Sequence, residues 1–141
     1  MTARDCQLAV YAAEDSALAG RGRVFRHLGE VRAYVAELVA GDWWAARWPE
    51  VDTIRVARRR SRRFSGYAVS GAAEIRLARL EEAVVLHEVA HVVTPGIGHG
   101  PAFVAALLAL VRERMGFDVY GSLLAELSGQ EDGDGPRPSL A

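Results

Sequence analysis

His87-Glu88-Val89-Ala90-His91, followed after a short connection by His99, gathers three imidazoles and one carboxylate in one stretch of chain. On a helix, positions i and i+4 share a face, so His87 and His91 can address a single metal ion. A hydrolytic zinc site takes three protein ligands, leaves the fourth position to water and lowers that water's pKa to about 7. The residues divide accordingly into His87, His91 and His99 as zinc ligands and Glu88 as the general base. The motif by itself is weak evidence. With 4 His in the chain, a shuffled sequence of this composition would contain H-E-x-x-H roughly once in a hundred, so its surroundings decide.

Those surroundings are favourable. Leu80 to Val93 reads as a helix, with Ala83, Leu86, Ala90 and Val93 available for packing. Thr94-Pro95-Gly96-Ile97-Gly98 interrupts it, because proline disfavours helical geometry at the preceding residue and glycine permits a reversal. His99 then falls where the chain turns back, and Gly100-Pro101 opens the next helix with proline in its first turn. The plainer alternative is a partly buried helix with two histidines and a third in a loop. An apolar helix has little use for such groups unless something offsets their desolvation. A purely structural zinc is disfavoured because such sites are usually closed and cysteine-rich, and the single Cys6 is distant in sequence.

The remaining pattern supplies the elements that must carry this site. Val31, Tyr34, Val35, Leu38 and Val39 recur at helical spacing between His27 and Ala40, and Gly41-Asp42 ends the run. Trp43, Trp44 and Trp48 read as core packing or a lid rather than a ligand-stacking platform. Thr53 to Ala57 and Ala73 to Ala78 alternate as strands, and Ser65 to Ser70 adds a third. Phe103 to Met115 forms a helix and Tyr120 to Leu127 a shorter one. These elements predict an α+β domain over residues 1–128, with an N-terminal helix, a small three-stranded mainly antiparallel sheet, the H-E-x-x-H helix and closing helices. Residues 129–141, poor in apolar side chains, are expected to form a disordered tail.

Half of the 141 residues are apolar and a quarter charged, as in an ordinary soluble domain. The net charge of −1 excludes a global attraction to nucleic acid or acidic membrane, and one cysteine excludes an internal disulfide. Neither a signal peptide nor an apolar run of membrane-spanning length is visible, which predicts a cytoplasmic protein with no membrane partner. The basic run Arg58 to Arg63 reads first as a solvated strand connection and second as a contact for phosphates or an acidic partner.

The stretch Glu82 to His91, with His99-Gly-Pro-Ala-Phe103, resembles actinobacterial, mycobacterial-type H-E-x-x-H metallohydrolases. The resemblance extends through Arg4-Asp5, Tyr11 to Glu14, the tryptophan-rich segment, Ile54-Arg-Val and Met115-Gly-Phe, covering residues 4 to 127. H-E-x-x-H followed by H-G-x-x-F is also similar to the zinc-binding core of SprT-like metalloproteases. That resemblance implies a minimal zincin-like fold, zinc on His87, His91 and His99, and Glu88 as base. The chain departs from SprT-like proteins in its short connection before His99 and in lacking the cysteine zinc ribbon found in many of them, which weakens the transfer of their DNA-linked role.

The expected activity is hydrolysis of a peptide or amide bond, with a peptide or protein as substrate, zinc polarising water and carbonyl, and Glu88 moving the proton. A non-peptide amide or ester suits the same residues. Ala73 to Leu77 is the candidate sheet edge for strand addition by substrate. Tyr67 and Tyr120 are candidate oxyanion donors, and Glu81, Glu82 and Asp118 are candidate acids for orienting the histidines. The alternative from another class is a zinc-stabilised, non-catalytic binding module that contacts nucleic acid through Arg58 to Arg63.

Overall fold

The computed structural model describes residues 2–59, 66–68, 73–96 and 98–131. Helix α1 (Ala3–Leu18) begins at a capping box in which Thr2 and Asp5 satisfy each other's backbone N–H. It is followed by α2 (Leu28–Ala40), the short α3 (Asp42–Ala45), strands β1 (Arg55–Arg58), β2 (Gly66–Ala68) and β3 (Glu74–Leu77), and helices α4 (Glu82–Val93), α5 (Pro101–Met115) and α6 (Phe117–Glu131).

This architecture corrects the expected one. The described residues are mostly helical, with six helices around one small sheet. The sheet is mixed rather than mainly antiparallel, with order β1-β3-β2, β1 parallel to β3 and β2 antiparallel to it. Alternation of apolar and charged residues fixes which face of a strand is buried, here through Val56, Ile75 and Leu77. It carries no information about strand direction or order. The same order places β3 in the centre of the sheet, so the expected substrate edge at Ala73 to Leu77 is already paired on both sides. The outer side of β1 faces α2, whose Arg32 Nε donates to Val56 O at 3.2 Å.

Two further elements differ from expectation. Helix α1 precedes the helix expected to be N-terminal and packs along α6. Helix α6 starts earlier than Tyr120 and runs to Glu131, past the expected boundary at residue 128. Most of the expected tail, the greater part of the arginine run and much of the Ser65 to Ser70 strand lie outside the described residues.

The core is continuous between the sheet and the helices. Val85, Leu86, Val89 and Ala90 of α4 are fully buried, so the packing face of that helix is rotated toward them and away from Ala83 and Val93, which are half-buried. Trp44 is also core, and its indole N–H donates to Val51 O at 2.6 Å, as a buried Trp requires. No helix among the described residues is long and apolar enough to cross a membrane.

Candidate metal centre

Helix α4 carries His87 and His91 one turn apart, and the connection leading into α5 returns His99 to them. The return depends on the break after Val93. The Thr94 hydroxyl donates back to Ala90 O at 2.7 Å, and Gly96 and Gly98 take φ values of +76° and +68°. Side chains other than glycine rarely adopt that conformation, so the reversal needs those two residues. Pro101 then starts α5 at a position where its missing N–H costs nothing.

The result is a convergence of three imidazole nitrogens. His99 Nε2 lies 3.2 Å from His87 Nε2 and 3.1 Å from His91 Nε2. Metal–nitrogen bonds of about 2.0–2.1 Å in a tetrahedron separate their nitrogens by about 3.3–3.4 Å, so this spacing is close to that of a ligand set. These three residues could hold a metal ion. Burial, reinforced by the charge on His87, lowers the pKa of both His91 and His99 to about 4. Both therefore present neutral imidazoles at neutral pH, the form a metal requires. His27, the remaining histidine of the sequence, is elsewhere and caps α2 by accepting from Glu30 N.

Glu88 is beside this set and outside it. Its Oε1 is 3.8 Å from His87 Nε2, whereas its buried Oε2 has no hydrogen-bond partner among the described residues. A buried carboxylate oxygen without a donor is costly, and burial accordingly raises the pKa of Glu88 to about 7. The charge of His87 opposes that rise and that of Glu14 adds to it, while Arg59, at the start of the basic run, pulls the pKa down.

Three further residues of the site were named in the sequence through the resemblance and given no role there. Phe103, fully buried on α5, touches every ligand ring, with centroids 5.0 Å from His87, 4.3 Å from His91 and 4.8 Å from His99. Tyr11 of α1 stacks on His87 at 5.3 Å and 11° and tilts over His99 at 5.4 Å, while remaining 40 % exposed. Glu14, one turn further along α1, faces His87 Nδ1 with both oxygens, at 2.7 and 2.9 Å. Burial pulls the pKa of His87 down, but the hydrogen bond and charge of Glu14, with the charge of Glu88, outweigh it and raise the value.

The acids proposed for that role are elsewhere. Glu81 pairs with Arg79, Glu82 accepts from Tyr34 and Arg23, and Asp118 is exposed in the first turn of α6. Tyr120 packs on Phe117 with the Arg112 guanidinium near its ring, and the Tyr67 side chain lies outside the described residues. A role for Glu14 and Tyr11 was findable from the residues themselves only if residues 3–18 had been read as a helix, for which Thr2-x-x-Asp5 was the signal.

No protein-family model matches the chain, and no curated protein or solved structure is significantly similar to it.

Proposed function

We propose that the protein is a zinc-dependent metallohydrolase acting on a peptide or amide bond, with His87, His91 and His99 as metal ligands and Glu88 as general base. The observation that carries the reading is the three converging Nε2 atoms beside a buried carboxylate whose second oxygen has no partner. A structural site needs the first feature only. The second costs stability and has a use only if the carboxylate exchanges a proton. A zinc ion held by the three imidazoles supplies Lewis-acid polarisation of water and of the scissile carbonyl.

The residues perform the remaining steps. Glu88 accepts a proton from the attacking water as its oxygen bonds to the carbonyl carbon. It then returns that proton to the leaving nitrogen as the carbon–nitrogen bond breaks, giving a carboxylic acid and an amine. Glu88, beside the histidines and outside their set, can take that proton as a carboxylate and give it back as the acid. His87, His91 and His99 supply lone pairs and exchange no proton in this cycle. Phe103 holds the three rings in position from beneath.

Metal analysis of the dialysed full chain tests the reading. About one zinc per chain is expected in the wild type and in Glu88→Gln, with loss in His99→Ala. Wild-type protein that takes up no zinc when it is supplied would remove the metal centre and the enzyme with it.

A further inference from the structure

Glu14 is unexplained by the ligands and the base. It comes from the opposite end of the chain, 73 residues from His87, and its side chain is only 12 % exposed. A carboxylate is not buried there without a return. Its partner is one atom, His87 Nδ1, engaged by both oxygens at 2.7 and 2.9 Å. A carboxylate can only accept, so Nδ1 carries the hydrogen, and the neutral ring then has its lone pair on Nε2, the atom 3.2 Å from His99 Nε2. The ring plane is fixed as well, because Tyr11 stacks on His87 at 11° while Phe103 meets it edge-on at 63°. Tyr11 and Glu14 are three residues apart and so share a face of α1. Among the described residues, neither His91 nor His99 has a carboxylate at hydrogen-bond distance.

We infer that Glu14 is a positioning residue of the metal centre, selecting the Nδ1–H tautomer of His87 and orienting its ring, and that α1 is thereby fastened to the bound metal. The inference rests on the metal reading above and adds an element to it. Helix α1 is otherwise held chiefly along α6, so a metal drawing on His87 acts on α1 through the Glu14 hydrogen bond and the Tyr11 ring stacked on the same imidazole. Outer carboxylates of this kind also make the imidazole a better donor, and their loss typically weakens metal binding about 10–100-fold.

The test measures zinc affinity of the full chain by chelator competition for the wild type, Glu14→Gln and Glu14→Ala, with amide hydrogen exchange recorded with and without zinc. Glu14→Gln keeps the size of the side chain and removes its charge. We expect about 10-fold weaker zinc binding in Glu14→Gln and up to about 100-fold in Glu14→Ala. In the wild type, zinc should slow exchange in α1 as well as in α4 and α5. In Glu14→Ala, which removes the acceptor altogether, the α1 protection at saturating zinc should fall and that of α4 and α5 be retained. A general folding defect would lower all three together and overturn the positioning role. Unchanged affinity in both variants would overturn the inference and leave the metal centre standing, whereas a wild type that binds no zinc would overturn both. Nitrogen-15 spectra of the zinc-loaded wild type decide without any variant: a proton on His87 Nε2 instead of Nδ1 would refute the assignment.

Discussion

Helix α4 buries two glutamates to the same extent, Glu82 in its first turn and Glu88 in its middle, each only 4 % exposed. Glu82 is fully engaged. Its Oε2 accepts from the Tyr34 hydroxyl at 2.5 Å, its Oε1 accepts from Arg23 N at 3.0 Å, and its own N–H donates to Arg23 O at 2.9 Å. Burial, with the neighbouring carboxylate, pushes the Tyr34 phenol up, so it remains a donor. Glu88 has an oxygen with no partner and a pKa raised to about 7. The difference separates a carboxylate that fastens the chain from one whose bonding is incomplete, as the proposed general base requires. Burial does not distinguish them; the completeness of hydrogen bonding does.

The largest expected effect sharpens that contrast. Glu88→Gln should lower turnover about 10²–10⁴-fold, the usual worth of a positioned acid–base group, while stability stays level or rises because a buried carboxylate without a full set of partners is neutralised. Glu82→Gln should show the reverse, losing about 1–3 kcal/mol of stability with turnover retained per folded molecule. The pair is read by denaturant unfolding beside a hydrolysis assay. Equal turnover losses in both variants would erase the distinction.

Phe103→Ala comes next. Truncating a fully buried phenylalanine costs about 3–5 kcal/mol, and here the cavity would open under all three ligand rings. Thermal unfolding should therefore shift strongly, and zinc should bind more weakly in the fraction that remains folded. The gain in stability on adding zinc should shrink by linkage, since a ligand stabilises only in proportion to its affinity for the folded state. If zinc stabilises Phe103→Ala as much as the wild type, the ring is core packing and does not shape the site.

The three-histidine cluster was legible in the sequence because it is local. His87 and His91 are related by helical period alone, and the Pro95, Gly96 and Gly98 punctuation places His99 at a return. The roles of Glu14 and Tyr11, which the resemblance only named, were not legible, because pairing across 73 residues is fixed by how α1 packs along α6. An alanine-rich helix such as α1, with Ala13 and Ala17 on its buried side, gives little hydrophobic contrast from which to find it. The strands were found by alternation, but their order and direction depend on tertiary contacts. The mixed sheet and central β3 followed from neither composition nor period. Glu82 was read as an acid that could orient a histidine. Its actual partners, Tyr34 and Arg23, come from earlier parts of the chain that only the fold brings together.

Tyr34→Phe makes the smallest change and tests the fastening end of α4 alone. It removes one hydroxyl and leaves the ring, which packs against Phe25 at 5.2 Å with the Arg114 guanidinium 4.6 Å from its centroid. Glu82 keeps the Arg23 N–H on Oε1 and loses the donor to Oε2. A buried acceptor deprived of its donor costs about 1–3 kcal/mol. The low end is expected here, since the Arg114 guanidinium lies over the Tyr34 ring and can shift toward the carboxylate. The measurement is the denaturation midpoint beside zinc affinity by chelator competition. A lowered midpoint with unchanged affinity is the expected result, because the two ends of α4 are joined by the helix backbone and by packed Val85, Leu86 and Val89 and share no side-chain hydrogen bond. A loss of zinc affinity in proportion to the loss of stability would mean that the first turn of α4 sets the position of His87, and the fastening and reactive ends would have to be treated as one unit.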